Sequence, residues 1–270
     1  MLRLIKCEFW KLNRRKSVIL TMLFSCVFPL LLSVALPRLN ADGSYGDTKA
    51  QLYDTLWQMI TGYGLTLLMP CIIGIFAAIL FFMERDSETF KNLKTIPITS
   101  TQMIFAKIAV LFIFAIVFCI LSTLFSALFG VIMPQHFTVS GLAYKFSLSI
   151  VMGVLITLGA MPLVLLVAFF SKNYLFSIML AIFYTVFNFL TCSGALGLPK
   201  LLIWCLPTPC ILIWSAYGMA SHMQLPAAKA LNTFVEKGLV PSTGQMLLPL
   251  CFIGTICVAL VIYLYKRRGE

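Results

Sequence analysis

The chain has 270 residues, of which 61 % are hydrophobic and only 11 % are charged. An ordinary soluble chain is about 45–50 % apolar and about 25 % charged. A soluble domain this apolar could not cover its own surface with polar side chains, so the composition excludes a disordered chain and a soluble enzyme of ordinary type. The net charge of +11 fits the basic bias of cytoplasmic membrane segments, and we expect no nucleic-acid partner.

Long stretches without charged residues predict membrane spans, because a charge at the bilayer centre costs about 2.5–3.5 kcal/mol. Six stretches can each supply the ~20 apolar residues of a crossing helix. The predicted spans are residues 17–36, 58–83, 103–132, 146–170, 174–194 and 245–265. The first apolar stretch is longer than the usual core of a signal peptide, so we expect it to be retained. The predicted fold is therefore an all-α polytopic membrane protein.

The basic residues are unevenly divided between the two sides of this six-span topology. Fourteen of the 20 Lys and Arg residues fall in the N-terminal segment, the connections after spans two and four, and the C-terminal end. Because Lys and Arg concentrate on the cytoplasmic side of a bilayer, we expect both termini to be cytoplasmic. A seven-span topology would place Lys266, Arg267 and Arg268 outside, against that rule.

A further apolar stretch, residues 199–220, is interrupted by Pro207 and Pro209. Proline removes a backbone donor and breaks a helix, and neither half is long enough to cross a bilayer. We predict an extracellular, re-entrant or interfacial hairpin, with Trp204 and Trp214 at the depth of the lipid headgroups. Cys205 and Cys210, which flank the prolines, could pair if they are exposed.

The sequence carries no catalytic signature. No Gly-Lys dipeptide occurs, so the phosphate-binding loop of ATPases is absent. None of the nine cysteines forms a C-x-x-C pair, and the histidines His136 and His222 have no carboxylate close in sequence. No Asp or Glu lies inside a predicted span, which argues against an intramembrane protease or a proton-coupled carrier. We expect no catalytic residue, no metal site and no cofactor bound by this chain.

The N-terminal segment, residues 1–16, is amphipathic. Its apolar residues recur at helical spacing and can share one face of a helix: Leu2, Ile5, Phe9 and Leu12. Such a helix can lie in the membrane interface and hold the following span in place.

Residues 84–100 predict a second short cytoplasmic helix, between spans two and three. Acidic residues gather at its start and lysines toward its end, as the helix macrodipole favours. Phe90 and Leu93 are three residues apart and can form one apolar edge, and Pro97 ends the helix. Ser100 can then cap the helix that follows.

This stretch, from the Glu84-Arg85-Asp86 start through Thr89 and Leu93 to Pro97-Ile98-Thr99, resembles a motif of type-2 ABC export permeases. Within these it is most similar to the bacterial permeases of the lantibiotic-immunity and bacitracin-resistance group. The basic N-terminal segment, the six spans and the proline-broken hairpin resemble that family over residues 1–270, as one permease domain. One departure is Thr89, where many members have glycine, so the start of the helix could differ.

The resemblance implies that residues 84–100 are the coupling helix that docks on an ATPase. The contact residues carried over from the motif are Glu84, Arg85, Phe90, Lys91, Asn92, Leu93 and Lys94. It also implies two ABC ATPase subunits that bind ATP and Mg, and a second permease subunit that is identical or related. The substrate would be an amphipathic peptide antibiotic or a similar hydrophobic molecule, exported from the bacterial cell membrane to give immunity or resistance.

Polar residues within the spans are candidates for the substrate path. Asn188 lies in the middle of span five and could form a hydrogen bond across an interface, and Thr157 and Thr185 are comparable. An alternative function is a non-transporting sensor or assembly subunit of a membrane complex. An intramembrane enzyme is a third possibility, but the residues for its chemistry are missing.

Overall fold

The computed structural model describes residues 2–13, 16–86, 99–170, 174–197, 199–223 and 228–269. These ranges are helical and contain no β-strand. Six helical stretches are long and apolar enough to cross a membrane: Val18–Asp42, Lys49–Phe82, Thr101–Ile132, Leu142–Phe169, Tyr174–Ser193 and Thr243–Lys266. The structure therefore confirms the predicted all-α fold with six candidate transmembrane helices.

The helices of the described ranges are numbered here in chain order. They are α1 Leu2–Asn13, α2 Lys16–Leu39, α3 Lys49–Met59, α4 Met69–Asp86, α5 Ser100–Ile132, α6 Leu142–Gly159, α7 Met161–Phe169, α8 Tyr174–Ser193, α9 Lys200–Cys205, α10 Pro207–His222, α11 Ala228–Glu236 and α12 Thr243–Gly269. A π-helical segment, Ile60–Leu68, joins α3 to α4 without a break. The second span is thus one continuous helix with a wider middle section.

The second span begins at Lys49, whereas the charge pattern placed its start at residue 58. Its first turn is fixed by a reciprocal cap: the Thr48 hydroxyl accepts from the Gln51 N–H, and the Gln51 side chain accepts from the Thr48 N–H at 3.2 Å. Such a capping box satisfies two backbone donors that would otherwise lack partners. The connection between the first two spans is correspondingly short, from residue 43 to residue 48.

Contacts between distant residues define the two ends of the helix bundle. At one end, Glu8 of α1 and Tyr265 of α12 both reach the start of α5, where the Tyr265 hydroxyl lies 3.1 Å from Met103 Sδ. We call this end, with the last turns of α4, the terminal face. At the opposite end the Lys49 ammonium donates to the Pro134 carbonyl at 3.1 Å. That end, with α9 and α10, is the loop face.

Small residues allow the spans to pack closely. A Cβ on Gly153 of α6 would lie 2.9 Å from the Cα of Ile116 on α5, and a Cβ on Gly74 of α4 would lie 2.6 Å from Ala181 of α8. Close approach at small residues is the usual basis of helix association in membranes, where burial of apolar surface gives little driving force. The core beside these contacts includes an edge-to-face pair, Phe76 and Phe114, with ring centroids 4.1 Å apart.

The proline-broken stretch forms two helices, α9 and α10, separated at Leu206. The Trp204 indole donates to the Leu239 carbonyl at 3.2 Å, which ties α9 to the connection before α12. Cys205 and Cys210 are free thiols: Cys205 is exposed, whereas Cys210 is buried.

Candidate functional site

The residues of the predicted coupling helix lie only partly within the described ranges. Glu84 and Arg85 belong to the last turn of α4, on the terminal face. The other five, Phe90, Lys91, Asn92, Leu93 and Lys94, lie outside the described residues. The next helix is capped by Thr99, whose hydroxyl accepts from the Gln102 N–H at 3.4 Å. The assignment of residues 84–100 as a coupling helix stays a prediction.

Both helices that flank this stretch are tied to α1. The Lys107 ammonium, near the start of α5, is fully buried and donates to the Leu80 carbonyl near the end of α4 at 2.7 Å. The same ammonium lies 3.5 Å from a carboxylate oxygen of Glu8 on α1. Ile5 and Phe9 of α1 pack against the core beside it. The end of α4 and the start of α5 are therefore both connected to the N-terminal helix through Lys107.

The three residues proposed for the substrate path are buried, and each donates a hydrogen bond to a carbonyl of its own helix. Thr157 donates to the Gly153 carbonyl at 2.6 Å, and Thr185 donates to the Ala181 carbonyl at 2.7 Å. The Asn188 amide donates to the Tyr184 carbonyl at 2.8 Å. None of the three lines the cavity described next.

A cavity of about 470 Å³ opens near the loop face, between the second span, α8 and α10. Its lining mixes aromatic, thioether and polar side chains. The lining residues are Ser44, Tyr45, Thr55, Gln58, Met59, Gly62, Tyr63, Phe189, Cys192, Ser193, Leu212, Ser215, Ala216 and Met219. Pockets of a few hundred Å³ with an apolar wall and a few polar groups are typical of sites for small ligands.

The π-helical segment forms part of this cavity wall. Gly62 and Tyr63 both belong to it, and the Tyr63 and Phe189 rings, which both line the cavity, have centroids 6.1 Å apart. The Thr61 hydroxyl donates to the Trp57 carbonyl, and the Thr66 hydroxyl donates to the Gly62 carbonyl, so side chains satisfy backbone acceptors along this part of the helix. Segments of π-helix inside longer helices occur frequently at functional sites. The pattern of charged residues along the chain does not indicate this segment.

A buried ion pair holds the opposite face of α3. The Lys145 ammonium, at the start of α6, donates to Asp54 Oδ1 at 2.7 Å and to the Ser140 carbonyl at 3.0 Å. The Ser140 hydroxyl also reaches Asp54 Oδ1, at 3.3 Å. The ammonium lies 3.9 Å from the centroid of the Tyr53 ring, within the range of a cation–π interaction. The charge of Lys145 is therefore compensated on several sides.

A directed chain of hydrogen bonds continues from this pair into the bundle. The Trp57 indole donates to the Thr123 hydroxyl at 3.3 Å, and Thr123 is hydrogen bonded to the Ser149 hydroxyl. Ser149 in turn donates to the Lys145 carbonyl at 2.7 Å. We call these residues, with Asp54, the polar seam. The seam joins α3, α5 and α6 and fixes the rotation of α3, so that Thr55, Gln58 and Met59 line the cavity.

Sequence reasoning missed both the cavity and the polar seam. It placed Asp54 and Lys145 in external connections because each carries a charge, and a charge alone in a span is costly. The available signal was the position of Trp57, three residues after Asp54 and four after Tyr53, which in a helix puts it beside both of them.

Comparison with known proteins agrees with this architecture. Residues 4–188, from α1 to most of α8, match the family described as ABC-2 family transporter protein. No curated protein sequence matches the chain at a significant level. Members of this family are membrane components that work with an ABC ATPase carried by a separate subunit. The chain therefore belongs to the ABC-2 transporter family and is a type-2 ABC permease, the multi-pass membrane subunit of an exporter.

Proposed function

We propose that this permease moves an amphipathic peptide antibiotic of the lantibiotic or bacitracin kind, or a similar hydrophobic substrate, out of the bacterial cell membrane. Export would give the cell immunity or resistance. The observation that carries the proposal is the cavity of about 470 Å³ near the loop face. It is lined by the second span, α8, α10 and the connection before the second span. We place that face outside the cell and both termini in the cytoplasm, because the Lys and Arg residues concentrate at the terminal face.

The chemistry of the cavity suits an amphipathic molecule. Tyr63, Phe189 and Met219 offer aromatic and thioether surface, and methionine adapts to irregular apolar shapes. Gln58 and Ser215 supply hydrogen-bonding groups to the same cavity. The apolar side of an amphipathic substrate can therefore pack on the aromatic and thioether groups, while its polar side forms hydrogen bonds. A whole peptide antibiotic is larger than this volume, so the cavity would take one segment of it.

Energy for export comes from the ATPase, and we propose that it enters through residues 84–100. Two ATPase subunits and a second permease subunit, identical or related, would complete the transporter, with ATP and Mg held by the ATPases. The end of α4 carries Glu84 and Arg85, and the same helix continues through the π-helical segment to the cavity wall. A movement of the α4 end on ATP binding would be transmitted along one continuous helix to Tyr63. Substrate would shift this equilibrium by its different affinities for the two states.

The coupling proposal is tested at Phe90. Phe90→Asp should place a charge on the apolar edge that docks on the ATPase, and so abolish resistance and substrate-stimulated ATP hydrolysis. Phe90→Leu keeps an apolar side chain and should preserve both activities. Membrane insertion of both variants is checked by their amount in the membrane fraction. Unchanged resistance in Phe90→Asp would remove the coupling role from this segment.

The substrate is tested separately. A deletion strain should become more sensitive to a set of lantibiotics or to bacitracin, and the wild-type chain should restore resistance. The wild-type chain should also co-purify with an ABC ATPase. Normal sensitivity to all these peptides, together with co-purification, would contradict the substrate class but keep the permease function. A sensor or assembly subunit would instead copurify with a complex lacking the ATPase.

A further inference from the structure

The N-terminal helix α1 contacts the bundle at the depth of the membrane surface. The candidate span Thr101–Ile132 has 32 residues. At ~1.5 Å per residue it is about 48 Å long, slightly more than the about 40–45 Å of a bilayer with its headgroups. Lys107 therefore lies about 9 Å from the end of the span, where headgroups meet the hydrocarbon core. Because Glu8 contacts Lys107, the middle of α1 lies at that depth.

One face of α1 is covered by protein. Ile5, Phe9 and Leu12 pack against the core of the bundle. Glu8 lies between them and is 4 % exposed. One of its carboxylate oxygens is 2.6 Å from the Lys11 ammonium, and the other is 3.5 Å from the Lys107 ammonium. The single acidic residue of α1 is therefore directed inward and is paired there.

The other face of α1 is uncovered and basic. Arg3, Lys6 and Trp10 are spaced three and four residues apart, so they share one side of the helix. All three are exposed, and Trp10 keeps 64 % of its surface accessible. We call these three residues the outer face of α1. It carries two positive charges and a large aromatic ring at the depth of the lipid headgroups.

We propose that the outer face of α1 binds the headgroups of anionic phospholipids. An indole ring prefers the headgroup level of a bilayer, where its apolar body and its N–H are both satisfied. Arg and Lys near a bilayer surface attract anionic lipids, each by about fivefold in affinity. An acidic surface of the ATPase would match the charges as well. It fits less well, because a soluble subunit does not reach the depth of Lys107.

Such binding would position the helices that flank the coupling stretch. Lys107 donates to the Leu80 carbonyl at 2.7 Å, so the end of α4 and the start of α5 are joined where α1 is attached. Anionic lipid bound on the outer face of α1 would hold these two helix ends at a fixed depth. The proposal depends on membrane insertion of the chain and is independent of which substrate is exported.

The test measures contact of Trp10 with lipid in the complete transporter. The permease and its ATPase are reconstituted in nanodiscs that contain brominated phosphatidylglycerol or brominated phosphatidylcholine, since bromine quenches indole fluorescence on contact. Subtracting the signal of Trp10→Phe isolates the contribution of Trp10. We expect half-maximal quenching at a lower mole fraction of brominated phosphatidylglycerol than of brominated phosphatidylcholine.

The double variant Arg3→Gln/Lys6→Gln should raise the half-maximal mole fraction of phosphatidylglycerol about fivefold for each charge removed. The matched control Lys49→Gln/Lys200→Gln removes two exposed charges at the loop face. It should leave the half-maximal mole fraction of phosphatidylglycerol unchanged. Equal quenching by the two lipids would overturn the proposal. Quenching that appears only after the ATPase is removed would overturn it too, and would assign the outer face to the ATPase.

Discussion

Lys145 and Asp54 form an ion pair with 2.7 Å between ammonium nitrogen and carboxylate oxygen, and both side chains are enclosed by the bundle. The pair joins the start of α6 to the first turns of the second span. Burying two separate charges would be costly, but their mutual attraction and the additional hydrogen bonds of Ser140 offset part of the penalty. The pair therefore holds the cavity-lining helix α3 in one rotational setting.

Removing one member of this pair should destabilise the protein more than removing both. Lys145→Met leaves the Asp54 carboxylate buried without its ammonium partner, and we expect a loss of about 3–5 kcal/mol in the free energy of unfolding. In Lys145→Met/Asp54→Leu both charges are replaced by apolar groups, which should recover most of this loss. Thermal unfolding in a single detergent measures the difference. A double variant as unstable as Lys145→Met would show that the cost of an unpaired buried charge is not what destabilises Lys145→Met.

The contact between α5 and α6 should tolerate no side chain at position 153. Gly153→Ala places a Cβ 2.9 Å from the backbone of Ile116, so the two helices must separate. Overpacking of this kind costs about 1–3 kcal/mol, more than the roughly 1 kcal/mol that alanine gains over glycine in a helix. Gly244→Ala is the matched control, because a Cβ there meets no atom within 4 Å. The unfolding temperature should fall for Gly153→Ala and should stay level or rise slightly for Gly244→Ala.

Two phenylalanines of α8 should differ in their effect on transport. Phe189 lines the cavity and faces Tyr63, whereas Phe183 is 72 % exposed on the outside of the bundle. Phe189→Ala should raise the substrate concentration that gives half-maximal ATPase stimulation by about fivefold, the equivalent of ~1 kcal/mol of aromatic contact. Phe183→Ala should leave that concentration unchanged. The same shift in both variants would mean that the cavity is not where substrate binds.

Thiol labelling should distinguish Cys205 from Cys210 and report on which side of the membrane the loop face lies. Cys205 is exposed, whereas Cys210 is buried. Only an accessible thiolate reacts, so Cys210 should be labelled much more slowly than Cys205. In single-cysteine variants, a membrane-impermeant maleimide should label Cys205 on intact cells near neutral pH.

Cys7, which is exposed on α1, serves as the opposite case in the same experiment. It should react with the impermeant reagent only after the cells are opened. Labelling of Cys7 on intact cells would place the terminal face outside and would contradict the proposed cytoplasmic position of both termini.

The helical architecture was predictable because the signal for each span is additive along the chain. About 20 apolar residues in a row require a helix that satisfies its own backbone in lipid, whatever surrounds it. The inward face of α1 follows the same local logic. Helical spacing puts Ile5, Phe9 and Leu12 on one side of α1, and these three side chains pack against the core. Leu2, assigned to the same face, is instead 83 % exposed.

The polar seam was not predictable in the same way, because it depends on pairs of residues far apart in the chain. Asp54 and Lys145 are 91 residues apart, and either one alone indicates a loop. Lys107 is a related case: it lies inside the predicted span 103–132 despite its charge, and its ammonium is buried against the Leu80 carbonyl and Glu8. The cavity lies between the second span, α8 and α10, which are far apart in the chain. No local sequence pattern therefore predicts it.

The π-helical segment Ile60–Leu68 lies between two parts of the bundle that polar contacts hold in place. A π-helix accommodates one more residue per turn than the α-helix would, so deleting one residue there would restore regular α-helical winding. The polar seam would keep α3 in place, and Lys107 would keep the end of α4 in place. Only the side chains between them would turn toward different neighbours. Single-codon insertions and deletions in this stretch would thus exchange the residues that line the cavity, while the remainder of the protein stayed as it is.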